Sequence, residues 1–178
     1  MSDAMMTYVE RAARVKLMIF DVDGVLTDGS LHYGADGEAL KTFNVQDGLG
    51  IKLIQEAGIQ TAIISARTSP QVIKRAADLG ISHVHQGGHD KLTPFNALLE
   101  KTGLTAEQVG FIGDDVVDLP ILSRVGFAVA VPNGRKEVLE RAHHTTVAHG
   151  GRGAVREVCE LVLHAQGLYQ RVMAQFLV

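Results

Sequence analysis

Asp21 and Asp23 are the first residues of this chain whose types and spacing could do chemistry. They follow directly on the apolar run Leu17–Phe20, which is typical of a short buried strand, and Gly24 lets the chain turn away from the sheet. Alternate strand residues point to opposite faces, but a turn at Gly24 can bring both acids to one crevice. Two carboxylates in that position suit a metal ion and a phosphoryl group.

Further polar residues follow the later apolar runs at the points where strands are expected to end. They are Ser65 after Thr61–Ile64, Lys91 before a helix, and Asp114, Asp115 and Asp118 after Val109–Ile112. Each alone has a simpler explanation as a helix cap or a solvated surface charge. The ordered set, with every member at a strand end or a helix entrance, favours one functional site.

Phosphoryl transfer accounts for the residue types in this set. A phosphomonoester is a dianion, so a carboxylate can attack its phosphorus only if fixed positive charge offsets the repulsion. A divalent cation held by Asp21 and Asp114 would supply most of that charge, and Lys91 would add to it. Ser65 can donate a hydrogen bond to a phosphoryl oxygen, and Asp23 can protonate the leaving oxygen and later deprotonate water.

The elements that must position these residues alternate between strand and helix. Residues 31–43 predict a hairpin turning at Asp36-Gly37, and Asp47 is expected to cap a helix that runs to about Ala57. The later pattern predicts strands over 61–64, 83–85, 109–112, 127–131 and 145–147, and helices over 70–79, 92–101, 119–125, 135–142 and 154–166. This alternation indicates an α/β fold, a doubly wound, Rossmann-like parallel sheet with a small hairpin insertion after the first strand.

Composition limits the class of protein. A length of 178 residues, with 46% hydrophobic residues and a mean hydropathy of +0.12, predicts one soluble domain over residues 1–178, with the hairpin at about 30–45 and a C-terminal tail at about 167–178. A net charge of −3 argues against nucleic acid or an anionic membrane as a partner. The first ten residues lack a signal-peptide pattern, and the expected location is cytoplasmic. Cys159, the one cysteine, is expected to lie on a helix and to pack against the rest of the domain.

The motifs together resemble the haloacid dehalogenase-like phosphatases. The signature Asp-x-Asp-Gly-x-x-Thr-Asp at 21–28 is followed in order by Ser65, Lys91 and Gly-Asp-Asp-x-x-Asp at 113–118. Within that superfamily the chain is most similar to the 3-deoxy-D-manno-octulosonate 8-phosphate phosphatase family. This likeness is carried by residues 20–29, 43–48, 86–87, 113–115 and 150–157.

The resemblance implies a role for each matching residue. It makes Asp21 the nucleophile that becomes an aspartyl-phosphate and Asp23 the general acid and base. Mg²⁺ would be bound by Asp21, the backbone carbonyl of Asp23, and Asp114, with Asp115 and Asp118 as supporting acids. Ser65 and Lys91 would bind the phosphoryl group. The residues implied for the sugar-acid pocket are Asp23, Asn44, Val45, Gln46, Asp47, Gly48, Lys52, Arg67, Arg75 and Lys91.

Two positions depart from the family pattern. Ala66 stands where glycine is common, and Lys52 stands where an arginine is expected, which replaces a planar fork by a point charge. Neither residue bears on the phosphoryl chemistry, but both bear on substrate preference. The simpler interpretation of Lys52 and Arg75 is that they are solvated helix charges.

The short intervals between motifs predict an active site without a cap domain of its own. Only a hairpin and one helix fit between Asp21 and Ser65, and only one helix and a weak strand fit between Ser65 and Lys91. A neighbouring chain is then expected to close the site, and the resemblance implies a homotetramer. The apolar tail from Leu168 to Val178 is expected to contact another subunit. Gly150–Gly153 is consistent with a flexible connection into the last helix, and the resemblance implies that the tail reaches a neighbouring active site.

Alternative functions remain open on the sequence. A phosphatase for a nine-carbon sugar acid 9-phosphate differs only in substrate. A receiver-like signalling module also combines acids, a hydroxyl and a lysine, but it lacks a second acid two residues after the phosphate acceptor. The pairs His83/His85 and His143/His144 could suggest zinc, although without cysteine partners they are interpreted as surface or strand-end histidines.

Overall fold

The computed structural model describes residues 6–177, in which strands and helices alternate along the chain. The strands are β1 (Leu17–Phe20), β2 (His32–Gly34), β3 (Gly37–Leu40), β4 (Gln60–Ser65), β5 (His83–Gln86), β6 (Val109–Gly113), β7 (Phe127–Ala130) and β8 (His144–Thr145). The helices are α1 (Tyr8–Ala12), α2 (Val45–Glu56), α3 (Pro70–Leu79), α4 (Leu92–Thr102), α5 (Leu119–Leu122), α6 (Lys136–Leu139), α7 (Ala154–Ala165) and α8 (Tyr169–Met173). Residues 1–5 and 178, the two ends of the expected domain and tail, lie outside the described residues. None of the helices in residues 6–177 is both long and apolar enough to span a bilayer.

Six of the strands within residues 6–177 form one parallel sheet in the order β5-β4-β1-β6-β7-β8. β1 lies in the middle, where Phe20 pairs with Ile63 of β4 on one side and with Ile112 of β6 on the other. The strand order reverses at β1, so the crevice of this sheet opens at the carboxyl ends of β1, β4 and β6. The predicted doubly wound sheet is therefore confirmed.

The core lies on both faces of this sheet because successive strand residues point to opposite sides. Met18 and Phe20 of β1 face a cluster that contains apolar residues of α1, α2, α3 and α7, and Cys159 of α7 is fully buried there, as expected. Leu17 and Ile19 face the other cluster, with residues of α4, α5 and α6. A buried parallel sheet of this kind fixes the strand ends on which the site is built.

The hairpin predicted after the first strand is confirmed as β2 and β3, a separate two-stranded sheet turning at Ala35-Asp36. Its strand residues are exposed or half-buried, and the large apolar side chains of Tyr33 and Leu40 are among the exposed ones. The chain between β1 and β4 consists of this hairpin and α2. The hairpin contacts the loop that follows β4, where Arg67 donates hydrogen bonds to Tyr33 and Glu38.

The predicted helix cap at Asp47 is wrong. The cap is Asn44, three residues earlier, and its side-chain oxygen accepts hydrogen bonds from the backbone N–H groups of Gln46 (2.7 Å) and Asp47 (3.3 Å). Asp47 is buried and instead accepts hydrogen bonds from the N–H groups of Arg156 (2.8 Å) and Gly153 (3.3 Å). Its carboxylate caps α7, a helix distant in sequence, which a local capping pattern does not reveal.

We expect Asp47→Ala to lower the free energy of unfolding by about 1–3 kcal/mol, because two buried N–H groups at the start of α7 lose their acceptor. Chemical denaturation at neutral pH measures this change. Asp78→Ala removes an exposed carboxylate from α3 and is the matched control. An equal effect of the two substitutions would contradict the capping role of Asp47.

Other differences from the expected elements are short. The helix expected over 135–142 is the single turn α6, because the N–H of His143 already bonds to Ala128 (2.8 Å) and the chain enters β8 there. The last strand begins one residue earlier and ends two residues earlier than expected, and the hydroxyl of Thr146 beyond it donates a hydrogen bond to the carbonyl of Ala148 (2.8 Å). In the tail, α8 was not expected, and its Val172 is buried in this chain's own core.

Candidate active site

Asp21 is the first residue after β1, and the sheet holds its backbone. Its N–H donates to the carbonyl of Ile112 on β6 (3.1 Å), and the residue is 5% exposed. The chain then makes a wide turn that is closed by Thr27 N–H to Val22 O (3.0 Å), with Gly24 at φ +87°. A Cβ at Gly24 would lie 2.1 Å from a carboxylate oxygen of Asp114, so only glycine allows the two acid-bearing segments to approach this closely.

This turn is held in place by residues distant in sequence. The side chain of Asn133 donates to the carbonyl of Gly24 (3.2 Å) and accepts from the N–H of Gly150 (2.9 Å). Gly151 N–H donates to Val25 O (2.8 Å), and a Cβ at Gly150 would lie 1.7 Å from Gly24 O. The segment Gly150–Gly153, expected to be a flexible connection, therefore packs directly against the turn that carries Asp23.

Lys91 lies at the centre of a buried charge cluster and is not a solvated surface lysine. It is 1% exposed, and its ammonium nitrogen lies 2.8 Å from Asp21 Oδ1 and 2.6 Å from Asp118 Oδ1. The other oxygen of Asp118 accepts hydrogen bonds from the N–H groups of Asp114 (2.9 Å) and Asp115 (3.2 Å). Asp118 thus positions both Lys91 and the loop after β6, in keeping with the supporting role expected for it.

The cluster carries more negative than positive charge. Side-chain oxygens of Asp21, Asp114 and Asp118 lie within 4.8 Å of one another around the single ammonium of Lys91. Burial, with the charge of Asp118, raises the pKa of Asp21 well above its usual range. Burial also raises the pKa of Asp114 to about 7, with Asp118 and Asp115 adding to the shift. Burial would lower the pKa of Lys91, but the carboxylates of Asp21 and Asp118 outweigh it and raise that pKa. A hard divalent cation fits this set of oxygens and would neutralise the excess charge.

A cavity of about 310 Å³ opens above this cluster. Its lining brings together most of the residues predicted for the phosphoryl chemistry, with several that sequence reasoning missed: Asp21, Asp23, Gly29, Ser65, Ala66, Arg67, His89, Asp114, Asp115 and Val117. A second cavity of about 610 Å³, between β5 and α4, shares Ser65 with it and is also lined by Lys91. The predicted convergence of the strand ends on one crevice is therefore observed in the geometry.

Sequence reasoning missed Glu38 and Lys41 of the hairpin. The ammonium of Lys41 donates a hydrogen bond to Asp23 Oδ1 and lies 3.2 Å from Glu38 Oε1. Arg67 donates to Glu38 Oε2 (2.8 Å) and to the hydroxyl of Tyr33 (3.3 Å). The available signal was a pair of opposite charges in a hairpin that directly follows the paired aspartates.

The residues expected around the sugar acid divide into two groups. Asp23 and Arg67 line the cavity and Lys91 lines the adjoining one, whereas the residues on α2, its cap and α3 are not among the residues 6–177 that line either: Asn44, Val45, Gln46, Asp47, Gly48, Lys52 and Arg75. Arg75 donates to the carbonyl of Asn44 (3.3 Å) and places its guanidinium over the ring of Phe43, 5.8 Å from the centroid. Val45 and Lys52 are exposed. Their part in substrate binding stays a prediction.

His143 and His144 make contacts that stabilise the fold. His143 Nδ1 accepts a hydrogen bond from the N–H of Ala128 (2.9 Å), which fits the expected strand-end role. His144 stacks on Tyr8, with ring centroids 4.7 Å apart. These contacts favour the structural interpretation of this pair over a zinc site.

Comparison with known proteins gives consistent results. A sequence model of the haloacid dehalogenase-like hydrolases matches residues 80–157. The 3-deoxy-D-manno-octulosonate 8-phosphate phosphatase KdsC of Escherichia coli K12 is 45% identical over 167 residues, which cover 94% of this chain and 89% of that protein.

Two solved structures are similar over nearly the whole chain. The 3-deoxy-D-manno-octulosonate 8-phosphate phosphatase of Moraxella catarrhalis, in complex with magnesium ion, phosphate ion and KDO, superimposes with a TM-score of 0.92 at 43% identity, covering 95% of this chain and 97% of that one. The cobalt-bound phosphatase of Haemophilus influenzae gives a TM-score of 0.90 at 46% identity, with coverage of 94% and 99%. By its sequence, its fold and the order of its motifs, this chain belongs to the haloacid dehalogenase-like hydrolases and, within them, to the family of 3-deoxy-D-manno-octulosonate 8-phosphate phosphatases.

Proposed function

We propose that this protein is a magnesium-dependent phosphatase that hydrolyses 3-deoxy-D-manno-octulosonate 8-phosphate to 3-deoxy-D-manno-octulosonate and phosphate, a step in lipopolysaccharide biosynthesis. The observation that carries the proposal is the meeting of Asp21, Ser65 and Asp114 in the lining of one cavity, with the ammonium of Lys91 held 2.8 Å from Asp21 Oδ1. The names of relatives at about 45% identity supply the substrate.

The reaction proceeds by two displacements at phosphorus. Lys91 bonds to Asp21 Oδ1, which leaves Oδ2 to form the bond to phosphorus while the bond to the sugar oxygen breaks. Asp23 gives its proton to that leaving oxygen, and the free sugar acid departs. Asp23 then takes a proton from water, the water oxygen attacks the phosphorus of phospho-Asp21, and phosphate and the free carboxylate are regenerated. Ser65 and Lys91 hold the phosphoryl oxygens through both steps.

Mg²⁺ is held in this proposal by the carboxylates of Asp21 and Asp114 and by the backbone carbonyl of Asp23. Asp118 is close enough to join them, but its two oxygens already bond to Lys91 and to the N–H groups of Asp114 and Asp115. When bound, the ion supplies positive charge that offsets the repulsion between the carboxylate and the phosphoryl dianion.

Arg67 is the residue of this cavity best suited to the sugar acid. Within residues 6–177, its buried Nε–H has no hydrogen-bond acceptor, and Asp23 Oδ2 lies 3.7 Å away. A buried donor without an acceptor costs free energy until a ligand satisfies it. A substrate carboxylate beside Arg67 would do so and would gain a charge-assisted hydrogen bond.

A screen of sugar phosphates with Mg²⁺, with released phosphate as the readout, tests the proposed substrate. We expect kcat/KM to be highest for 3-deoxy-D-manno-octulosonate 8-phosphate and activity to be lost in EDTA. A higher kcat/KM for a nine-carbon sugar acid 9-phosphate would favour that alternative. Stable phosphoprotein without phosphate release would favour the receiver-like alternative, which membership of a hydrolase family already argues against.

The raised pKa of Asp114 predicts a pH dependence of stability in the metal-free protein. Its pKa is about 7 in the folded state and about 3.8 as the ordinary value, so the folded state binds more protons between these values. This contribution to stability is fully present below about pH 4 and is lost as the pH rises through about 7. Urea unfolding in EDTA at pH 5 and pH 8 measures it, and Asp114→Asn is expected to reduce the difference. An unchanged difference would contradict the assignment to Asp114.

We also propose that the protein works as a homotetramer in the cytoplasm. The support is the family likeness, the absence of a cap between the motifs within residues 6–177, and the exposure of Phe176 and Leu177 in the tail. Light scattering tests the assembly, together with activity measured on dilution. A monomer that stays fully active at nanomolar concentration would contradict it.

A further inference from the structure

We infer that Lys41 is a positioning residue that orients the Asp23 carboxylate for proton transfer to the leaving group. The inference deepens the proposed function and rests on it. Lys41 does not line the cavity, whereas Asp23 does. Lys41 therefore lies behind Asp23 and would act through it.

The burial of Lys41 is the first observation. Its side chain is 1% exposed, although it belongs to a hairpin region whose neighbours Tyr33 and Leu40 are 64% and 48% exposed. Removing an ammonium group from water is costly unless acceptors replace its hydration. Asp23 Oδ1 and Glu38 Oε1 provide those acceptors. A buried lysine at the end of an otherwise solvated hairpin is better explained by its contact with Asp23 than by packing.

The second observation is that the carboxylate oxygens of Glu38 and Asp23 have different partners. Glu38 holds two cations, with Oε1 near Lys41 (3.2 Å) and Oε2 accepting from Arg67 (2.8 Å), and Ser69 donates to Oε1 (3.3 Å). Glu38, which holds Lys41 in place, is thus itself held in place by Arg67 and Ser69. Because Lys41 takes Oδ1 of Asp23, Oδ2 is left for the leaving oxygen of the substrate.

The consequence concerns which substrates need Lys41. An alkyl phosphate, such as a sugar phosphate, must receive a proton as its alcohol leaves, and this assistance contributes about 10²–10⁴-fold. A nitrophenyl phosphate has a weakly basic leaving group that departs without a proton. A residue that only stabilises the hairpin would affect both classes alike, whereas one that binds the sugar acid would lower the value for the sugar phosphate by the same factor in the Asp23→Asn background. A residue that orients Asp23 affects the alkyl phosphate selectively.

The test measures kcat/KM with Mg²⁺ for 3-deoxy-D-manno-octulosonate 8-phosphate and for p-nitrophenyl phosphate, because this ratio covers only the steps up to departure of the alcohol. We expect Lys41→Met to lower the value for the sugar phosphate by about 10–100-fold and for the aryl phosphate by less than about threefold. Lys41→Gln, which keeps a donor, is expected to recover part of the loss. Asp23→Asn should show the same selectivity, and adding Lys41→Met to it should cause little further loss.

Lys136→Met removes an ammonium whose side chain is 82% exposed, and it is the control that should leave both values unchanged. Thermal unfolding shows whether each variant is folded. An equal loss on both substrates, or a loss that adds fully to that of Asp23→Asn, would overturn the inference. If the wild type does not hydrolyse 3-deoxy-D-manno-octulosonate 8-phosphate but hydrolyses another alkyl phosphate, the proposed substrate is wrong. The same comparison is then made with that alkyl phosphate. A wild type that hydrolyses no phosphomonoester overturns both.

Discussion

Replacing Asp21 by asparagine is expected to lower kcat by about 10⁴-fold or more, because an amide oxygen is too weak a nucleophile to form the bond to phosphorus. The change is nearly isosteric, and Lys91 keeps its second partner Asp118 at 2.6 Å, so the fold should be retained. Phosphate release from 3-deoxy-D-manno-octulosonate 8-phosphate under saturating substrate and Mg²⁺ measures the loss.

The matched control for this substitution is Asp36→Asn. Asp36 is exposed in the turn of the hairpin, so the same chemical change there should leave kcat within about twofold of the wild type. Circular dichroism of both variants shows that the sheet is intact. Appreciable turnover by a folded Asp21→Asn variant would mean that another group is the nucleophile.

Replacing Lys91 by methionine is expected to affect both stability and activity. The ammonium of Lys91 is the positive charge that bonds to the buried carboxylates of Asp21 and Asp118, and removing one partner of a buried ion pair costs about 3–5 kcal/mol. Phosphate release should fall by about 10²-fold or more, since the phosphoryl group also loses a fixed charge. Urea unfolding in EDTA and steady-state kinetics with Mg²⁺ measure the two effects.

Added Mg²⁺ separates the two roles of Lys91. A divalent cation that binds the folded state alone should restore part of the lost stability by neutralising the carboxylates, but it should not restore turnover. Lys136→Met, at an exposed lysine, is the control for the loss of one ammonium. If Lys91→Met unfolds at the same midpoint urea concentration as the wild type, Lys91 does not stabilise the buried carboxylates as proposed.

The strand ends of the site could be predicted from the sequence because they depend on local patterns. Apolar runs predicted β1, β4 and β6, and the polar residue expected at the crevice either ends the strand, as Ser65 does, or follows it directly, as Asp21 and Asp114 do. Parallel strands present their carboxyl ends at one edge, so order along the chain was sufficient to bring these residues together. Helix α3, with Pro70 at its start and Gly80 after its end, was predicted to the residue for the same local reason.

The supporting contacts could not be predicted because they join segments far apart in sequence. Asn133 reaches the turn at Gly24 across 109 residues, and Asp47 reaches the start of α7 across a similar separation. Neither contact leaves a periodic pattern or a local cap. The charge of Lys41 gave no indication of its burial, since a lysine in a hairpin is usually solvated and only the position of Asp23 decides otherwise.

Chemical trapping of the intermediate tests the central claim, that phosphoryl transfer passes through Asp21, most directly. Enzyme in excess over 3-deoxy-D-manno-octulosonate 8-phosphate, with Mg²⁺, is quenched in acid at times spanning one turnover and treated with borohydride, which reduces an acyl phosphate and converts the aspartate to homoserine. Peptide mass spectrometry should locate homoserine at residue 21, with an amount that rises and falls within the turnover and is absent without substrate. Homoserine at another acid, or complete turnover with residue 21 unmodified at every time, would contradict the account.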